Sequence, residues 1–260
     1  MNIRFSVDEG ELALTYIQKD PQLPTLIFLH DALGCTGTWK DFPKALAVKT
    51  GYNYLVYDRL GYGESSRDPN ARTRKKNYLE VEAEVLLHII QVLEVNKPLL
   101  FGHSDGGSIA LLAAAKGSGL IQAIIVEAAH VFVEDVTLNG IKKVVEEYSN
   151  GILQEKLRKY HGVKVDEVFY SWSDTWLSAS FRTWNIEAHL PNIHCPVLVI
   201  QGGQDEFGSL RQVETIQQGV NGEARIVVQP NIGHVPHREN KAITLKDSYE
   251  FFLQIKNHAK

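Results

Sequence analysis

Short apolar segments recur along the chain at intervals that suit the strands of an α/β protein. They lie at residues 26–29, 54–57, 99–101, 121–126, 197–200 and 225–228. Strands that are apolar throughout are buried on both faces, which is typical of a parallel sheet covered by helices on either side. Ahead of them, residues 3–7 and 11–17 flank Asp8-Glu9-Gly10 and predict an antiparallel hairpin at one edge. The pattern predicts a mostly parallel, eight-stranded sheet flanked by helices.

Amphipathic segments fill most of the spaces between these runs. They lie at about 79–94, 106–116, 209–218 and 239–257. In the first of them, Val81, Val85 and Ile89 recur at helical spacing, so we predict a helix with one apolar face. The regular alternation of strand and helix indicates βαβ units rather than separate helical and sheet domains.

The alternation breaks once, between residues 130 and 190, where helical patterns replace any further strand. One apolar stripe runs from Ile141 to Ile152, and Trp172, Trp176 and Trp184 follow within a short stretch. We therefore predict a core domain formed by residues 1–129 and 191–260, with a helical cap subdomain at 130–190. The aromatic rings either cover an apolar site or only attach the insertion to the core, and the sequence leaves both interpretations open.

Composition excludes several classes of protein. The chain of 260 residues carries 27 Lys and Arg against 31 Asp and Glu, a net charge of −4, and 44% of its residues are apolar. A chain this apolar builds a core, and the lack of basic tracts argues against nucleic acid, whose phosphates need clustered cations. The short basic run at 72–76 is better explained as the solvated start of a helix.

Cysteine content and apolar run length bear on the cell compartment. Cys35 and Cys195 are too few for a disulfide framework, and we expect two free thiols. Residues 1–10 lack the apolar core of a signal peptide, and no apolar run approaches the roughly 18 residues of a membrane span. We expect a cytoplasmic protein with no membrane partner.

The segment after the third apolar run contains the most informative motif. Gly102-His-Ser104-Asp-Gly106 stands between that strand and the helical pattern at 106–116. A strand-to-helix turn this sharp needs glycine on both sides of the serine, because a side chain there would meet neighbouring backbone. The serine is forced outward at the C-terminal edge of the sheet, where free helix N–H groups favour developing negative charge. This context predicts a nucleophile rather than a serine that only caps a helix.

A serine hydroxyl is a weak nucleophile at neutral pH and needs a base that a carboxylate orients. Asp205 and His234 each stand in a loop just beyond a predicted strand. The chain order Ser104, Asp205, His234 is that of a nucleophile-elbow hydrolase. Glu206 remains an alternative acid, and His237 an alternative base.

Bound metals and cofactors are not indicated. The pair His234-x-x-His237 has the spacing of metal ligands, but no further ligand motif accompanies it. Neither G-x-G-x-x-G nor a Walker lysine motif occurs. We predict a site with no metal and no cofactor.

An oxyanion hole needs two backbone N–H donors aimed at the developing charge. The N–H of Asp105, next after the nucleophile, is one candidate, and the N–H of Ala32, in the loop after the first apolar run, is the other. A carboxylate close to an oxyanion would oppose it, so we expect the Asp105 side chain to point away from the substrate. His130, at the start of the insertion, either faces the substrate or lies at a hinge.

The chain resembles the α/β-hydrolase fold superfamily along essentially its whole length. The matching segments are His30-Asp-Ala-Leu-Gly34, Tyr57-Asp-Arg-Leu-Gly-Tyr-Gly-Glu-Ser65, Gly102-His-Ser-Asp-Gly-Gly107, Gly203-Gln-Asp205 and Gly233-His234. The resemblance implies a cap inserted after the sixth strand, which matches residues 130–190. It also implies a structural role for the Asp58-Arg59 segment. One departure is Asp31, where the family usually has glycine.

The resemblance and the motifs together imply a cofactor-independent serine hydrolase that forms an acyl-enzyme with a small, apolar or aromatic carboxylic ester. We expect the substrate-binding residues to be His130, Trp172, Trp176 and Trp184. Two alternatives stay open: a carbon–carbon bond hydrolase acting on ring-cleavage diketones, and a non-catalytic receptor that encloses a small ligand. A homodimer is also left open.

Overall fold

A computed structural model describes residues 1–258 of the chain. Within them, one sheet contains β1 (Asn2–Val7), β2 (Gly10–Ile17), β3 (Thr25–Leu29), β4 (Asn53–Tyr57), β5 (Pro98–His103), β6 (Ala123–Glu127), β7 (Val197–Gly202) and β8 (Ala224–Gln229). The strand order is β1-β2-β4-β3-β5-β6-β7-β8. The β1–β2 and β2–β4 pairs are antiparallel, and every pair from β4 to β8 is parallel. The predicted fold class is confirmed.

The central strands are apolar throughout because each of their faces meets a different core. In β3, Leu26 and Phe28 belong to one cluster of buried side chains, whereas Ile27 and Leu29 belong to the other. Successive strand residues point to opposite faces, so burying both faces requires an apolar residue at every position. β8 departs from this pattern and is only half-buried along most of its length. It is an edge strand that pairs with β7 alone, which a run of apolar letters does not reveal.

Nine α-helices accompany the sheet within residues 1–258. They are α1 (Phe42–Thr50), α2 (Tyr78–Val92), α3 (Asp105–Lys116), α4 (Asp135–Ser149), α5 (Ile152–His161), α6 (Val165–Leu177), α7 (Leu210–Gly219), α8 (Pro236–Glu239) and α9 (Lys241–His258). The side chains of α2 and α3 fill the core on one face of the sheet, and those of α1 and α9 fill the other. This arrangement leaves the C-terminal edge of the sheet free for the loops that follow the parallel strands.

Two helix predictions need correction. The predicted segments do not include α1, because its apolar residues do not form one clear face. Phe42, Leu46 and Ala47 are buried against the sheet, whereas Val48 is exposed. The predicted segment at 239–257 is two helices, because α8 ends before Asn240 and α9 begins at Lys241.

The basic run at 72–76 differs from its prediction only in part, since Arg72, Lys75 and Lys76 are exposed as expected. It precedes α2 rather than starting it. The side chain of Arg74 is buried, with its guanidinium 4.8 Å from the ring centre of Tyr78 and 5.9 Å from that of Tyr62. Arginine stacks on aromatic faces in this way at little cost in hydration, so a basic residue need not indicate a solvated face.

The insertion between β6 and β7 folds into α4, α5 and α6, one helix more than the two apolar patterns indicated. The stripe that starts at Ile141 stops at Gly151, whose left-handed backbone (φ 83°) ends it, and Ile152 is exposed at the start of α5. A single bridge between Phe132 and Asn185 closes the base of the insertion. No helix among residues 1–258 is long and apolar enough to cross a lipid bilayer.

Candidate active site

Ser104 lies at the junction of β5 and α3 in a conformation that non-glycine residues seldom adopt. Its backbone has φ 54° and ψ −120°. The turn closes so tightly that a Cβ on Gly102 would come within 2.1 Å of the Gly106 carbonyl oxygen, and a Cβ on Gly106 within 2.0 Å of the Leu29 carbonyl oxygen. Only glycine fits at these two positions, and the strained turn between them holds the serine at the sheet edge.

His234 reaches Ser104 from the loop after β8. Its Nε2 lies 3.0 Å from the Ser104 hydroxyl oxygen, and its Nδ1 lies 2.9 Å from each carboxylate oxygen of Asp205. A carboxylate only accepts hydrogen bonds, so Nδ1 carries the ring proton and Nε2 is left to accept the serine proton. The structure thus joins the three side chains that the sequence motifs had placed 29 and 130 residues apart.

Asp205 is held in place by donors other than the histidine. Its Oδ1 accepts the Phe207 N–H at 2.8 Å, and its Oδ2 accepts from the Gln201 amide at 2.7 Å. Burial raises the pKa of Asp205, but His234 and these hydrogen bonds outweigh burial, and the pKa lies below its usual value. The alternative acid, Glu206, is exposed and lines the mouth of the cavity instead of contacting the imidazole.

The pKa of His234 is set by two opposing effects. Burial favours the neutral ring, whereas the Asp205 carboxylate stabilises the imidazolium, and the net result is a pKa above its usual value. Glu206 and Asp31 add to the rise. A pKa above the ordinary 6.5 helps the imidazole to hold a proton transferred from the serine.

Two residues beside the serine line the same cavity and have backbone N–H groups without a partner in the described part of the chain. Ala32 and Asp105 line it beside Ser104. Asp105 is the first residue of α3, so its N–H has no intrahelical partner, and among residues 1–258 neither amide donates a hydrogen bond to the protein. Ala32 and Asp105 are the two residues that the sequence analysis proposed as oxyanion donors, and that role stays a prediction.

The Asp105 carboxylate points away from this cavity. It is 1% exposed, accepts a hydrogen bond from the Tyr78 hydroxyl at 2.8 Å and lies 3.6 Å from an Arg59 nitrogen. Tyr78 in turn accepts a hydrogen bond from the Trp176 indole at 2.9 Å. Sequence analysis identified the Asp58-Arg59 segment but did not assign Arg59 this contact, because only the fold brings the loop after β4 to the start of α3.

A cavity of about 180 Å³ lies above Ser104, between the sheet edge and the insertion. From the insertion, α4 contributes Thr137, Ile141 and Val144, and α6 contributes Trp172 and Trp176. The remaining wall comes from the core domain and is formed by Leu33, Phe207 and Val235 beside the groups already described. The lining is mostly apolar, and its ionisable groups lie in the segments that follow the strands of the sheet.

Trp184 does not line the cavity, which corrects its predicted role in substrate binding. It is 2% exposed, and its ring stacks on Phe181 with a centroid distance of 5.3 Å. Its indole nitrogen has no hydrogen-bond partner within residues 1–258. Trp184 therefore packs the interior of the insertion, whereas Trp172 and Trp176 face the site. The spacing of tryptophans along the chain did not separate these roles.

His130 lines the cavity and does not lie at a hinge on the surface. Its ring lies 5.3 Å from that of Trp176 and 6.0 Å from that of His234, and its Nε2 donates to the Phe207 carbonyl at 3.1 Å. Burial lowers its pKa, so the ring is neutral near pH 7.

The alternative base, His237, lies behind the site in a buried cluster with Glu127 and His103. The Glu127 carboxylate accepts both the backbone N–H and the ring Nδ1–H of His237, each at 2.5 Å. His103 donates from Nε2 to the His234 carbonyl at 2.8 Å. Potential ligand atoms of these three residues lie within 4.8 Å of one another, but the hydrogen bonds already engage them. The cluster anchors the loop that carries His234, a role that no sequence motif signalled.

Comparisons with known proteins agree with this architecture. The chain is 27% identical to the serine hydrolase BPHL of Homo sapiens over 72% of its own length, and the match spans 64% of that protein, less than two thirds. It is 23% identical to the sn-1-specific diacylglycerol lipase ABHD11 of Mus musculus, covering 95% of this chain and 87% of that protein.

A solved structure and a family model extend these matches. The crystal structure of the enol-lactonase from Burkholderia xenovorans superposes with a TM-score of 0.78 at 17% identity, over 96% of this chain and all of that one, a likeness of fold. The model described as "Alpha/beta hydrolase family" matches residues 26–244. Since that match covers most of the chain, the protein belongs to the alpha/beta hydrolase family.

Proposed function

We propose that the protein hydrolyses a small carboxylic ester through an acyl-enzyme on Ser104. The observation that carries the proposal is the bonding of His234, which contacts the Ser104 hydroxyl with one nitrogen and the Asp205 carboxylate with the other. An imidazole oriented in this way accepts a proton at Nε2 without losing its tautomer.

Each step of the reaction has a residue to perform it. The Ser104 oxygen attacks the ester carbonyl as its proton passes to His234, and the oxyanion receives the N–H groups of Ala32 and Asp105. The imidazolium then protonates the leaving alkoxide, and the carbon–oxygen bond of the ester breaks. Water then attacks the acyl-serine as His234 takes its proton. The bond between the acyl carbon and the Ser104 oxygen breaks, the imidazolium returns the proton to that oxygen, and the carboxylic acid leaves.

The cavity favours a short, apolar or aromatic acyl group. Its volume of about 180 Å³ is below the roughly 300–1,000 Å³ of pockets that hold drug-sized ligands. Ile141, Val144 and Trp172 form the wall that faces the serine, which suits hydrocarbon rather than charge. A relative named as a diacylglycerol lipase and a structural neighbour named as an enol-lactonase also act, by those names, on carboxylic esters, a lactone being a cyclic ester.

The experiment compares the wild type with Ser104→Ala on phenyl acetate, phenyl butyrate, phenyl laurate and a vinylogous diketone. We expect hydrolysis of the two short esters, little of the laurate, and a loss of about 10⁶-fold in kcat in the variant, as for other serine nucleophiles. Cleavage of the diketone alone would replace the proposal with carbon–carbon bond hydrolysis. Activity retained in Ser104→Ala would remove the serine mechanism.

A further inference from the structure

The loop that carries Ala32 is held from behind by hydrogen bonds to one carbonyl group. The Asp31 carbonyl accepts from Arg59 Nη2 at 2.8 Å, from His30 Nδ1 at 2.8 Å and from the Gly34 N–H at 3.3 Å. Three donors on one backbone carbonyl exceed what a loop requires to satisfy its polar groups, since one partner suffices for most buried carbonyls. The orientation of this peptide is therefore strongly fixed.

The protonation of His30 is consistent with this network. The Arg59 backbone N–H donates to His30 Nε2 at 3.1 Å, so the single ring proton stands on Nδ1 and points to the Asp31 carbonyl. Burial, with the charge of Arg59, lowers the pKa of His30 to about 3, and the ring stays neutral in this tautomer near pH 7. Arg59 thus reaches the Asp31 carbonyl twice, directly and through His30.

The held carbonyl belongs to the same peptide unit as the Ala32 N–H. A peptide unit is planar and trans, so its carbonyl and its N–H point in opposite directions, and fixing one aims the other. Donors on the carbonyl oxygen also polarise the unit and strengthen its N–H as a donor. The hydrogen bonds behind the loop therefore bear directly on the N–H of Ala32, a residue that lines the cavity beside Ser104.

The same guanidinium lies next to the second donor residue. Its Nη1 is 3.6 Å from Asp105 Oδ2, and the guanidinium carbon lies 4.6 Å from the ring centre of Tyr62. Arg59 is 2% exposed, so its charge offsets that of the Asp105 carboxylate in a setting with little solvent screening. Without that positive charge, a carboxylate one residue beyond the nucleophile would oppose the oxyanion.

We infer that Arg59 is a positioning residue of the oxyanion hole, which aims the Ala32 N–H by holding the Asp31 carbonyl and holds the Asp105 carboxylate away from the reacting carbonyl. The two tasks need two nitrogens in a fixed fork, which arginine has and lysine lacks. The inference rests on the proposed function for its effect on catalysis and goes beyond the structural role that the resemblance implied for this segment.

The test compares Arg59→Met with Arg74→Met. Arg74 is a matched control because it is also a buried arginine stacked on Tyr62. Its other contacts are with Asp68, the Tyr62 hydroxyl and the ring face of Tyr78, none of which belongs to the loop that carries Ala32. An oxyanion donor acts in the transition state, where losing one outright costs about 100–1,000-fold. For a donor that is present but misaimed, we expect kcat on phenyl acetate to fall about 10- to 100-fold, with KM within twofold.

A second readout is the inhibition constant of n-butylboronic acid, which forms a tetrahedral, anionic adduct with an active serine. In Arg59→Met this constant should rise by the same factor by which kcat/KM falls. In Arg74→Met the melting temperature should fall while kcat and the inhibition constant stay within twofold. A folded Arg59→Met protein with wild-type kcat, or equal losses in both variants, would overturn the inference.

A spectroscopic readout needs no activity. The carbonyl ¹³C shift of Asp31 and the amide ¹⁵N shift of Ala32 report the hydrogen bonds on their shared peptide unit. Both shifts should move in Arg59→Met and stay in place in Arg74→Met. Arg59→Lys keeps the buried charge and serves if the methionine variant does not fold, and both shifts should move in it as well. Unchanged shifts in Arg59→Lys would contradict the inference. A wild type that hydrolyses no ester would count against the proposed function, while these shifts would still decide the role of Arg59.

Discussion

The two walls of the cavity are formed by different kinds of interaction. At the sheet edge, His234 and Asp205 are each fixed by several hydrogen bonds from different elements, and the Ser104 backbone is strained into place. On the insertion side, Ile141, Val144 and Trp172 contribute mainly apolar surface. Reacting groups must be held at fixed distances and angles, which several converging hydrogen bonds can do. Apolar contacts, by contrast, tolerate changes of shape. We therefore assign the chemistry to the sheet edge and the choice of substrate to the insertion.

The largest effect that sharpens this comparison is expected for Asp205→Asn. An asparagine amide at this position donates to His234 Nδ1 or fails to fix the ring proton there, which leaves Nε2 unable to accept from Ser104. We expect kcat to fall by about 10⁴-fold, as in other triads that lose the carboxylate, with KM nearly unchanged. Steady-state kinetics on phenyl acetate measures both constants.

The pH dependence of the same reaction is an internal control. His234 must be neutral to act as the base, and its pKa lies above 6.5, so kcat/KM of the wild type should rise through a midpoint above pH 6.5. Removing the carboxylate removes the main stabilisation of the imidazolium, and the midpoint for Asp205→Asn should move to lower pH. A midpoint that stays in place would assign the partner of His234 to another group.

A smaller effect is expected on the other wall, where two tryptophans in the insertion allow a matched pair of substitutions. Trp172→Phe removes atoms that line the cavity, whereas Trp184→Phe removes the same atoms from the interior of the insertion. For Trp172→Phe we expect the ratio of kcat/KM between phenyl butyrate and phenyl acetate to change by about tenfold, the lower end of what one methylene group contributes in an apolar pocket.

For Trp184→Phe the same ratio should stay at the wild-type value while the melting temperature falls, because a buried ring loses packing. If the two variants change the ratio equally, the shape of the cavity depends on the whole insertion, and the separation of lining from packing residues is wrong.

The sequence predicted the sheet edge much better than the insertion. Ser104, Asp205 and His234 each follow a strand, and parallel strands bring their C-terminal ends to one edge, so chain order alone indicated that they would meet. No such rule exists for helical patterns between strands. The rotation of α6 about its axis brings both Trp172 and Trp176 to the cavity, and that rotation depends on packing against α4 and α5. Trp184 lies beyond the end of α6, and its burial depends on how the chain folds back after that helix.

The same reason explains why the motifs included Arg59 without indicating its contacts and did not indicate Glu127 at all. Arg59 and Glu127 lie far from the triad in the chain, and each acts on a loop that only the folded sheet brings near it. A motif records residues whose spacing is constrained by local backbone geometry. Contacts between segments on different strands have no fixed spacing in the sequence. The sequence also does not show which of its charged residues are buried.

The smallest predicted effect concerns stability in acid. Burial lowers the pKa of His30 to about 3, that of His103 to about 4, and that of His130 below its usual value. In the unfolded chain these rings bind protons near pH 6.5, so protonation favours unfolding. The stability that depends on their neutral form is therefore lost as the pH falls from 6.5 towards 4. The contribution of His234 to the free energy of unfolding has the opposite sign, because its raised pKa adds stability below pH 6.5. One such ring offsets only part of the loss from the three others.

We expect the urea midpoint of unfolding to decrease between pH 7 and pH 5, measured by circular dichroism. His103→Gln keeps a donor for the His234 carbonyl but does not titrate, and it should flatten this decrease. His88→Gln, a change at an exposed histidine, is the control and should retain the full decrease. A wild-type midpoint that is constant over this range would show that the histidines at the sheet edge are not held neutral.

The most direct test of the account is covalent labelling by a fluorophosphonate, which reacts with a serine only when a base and an oxyanion hole activate it. We predict that the wild type gains one adduct, that peptide mass spectrometry locates it on Ser104, and that a folded His234→Ala variant gains none. A wild-type protein that is folded and stays unlabelled would contradict the account and favour a receptor that encloses a small ligand.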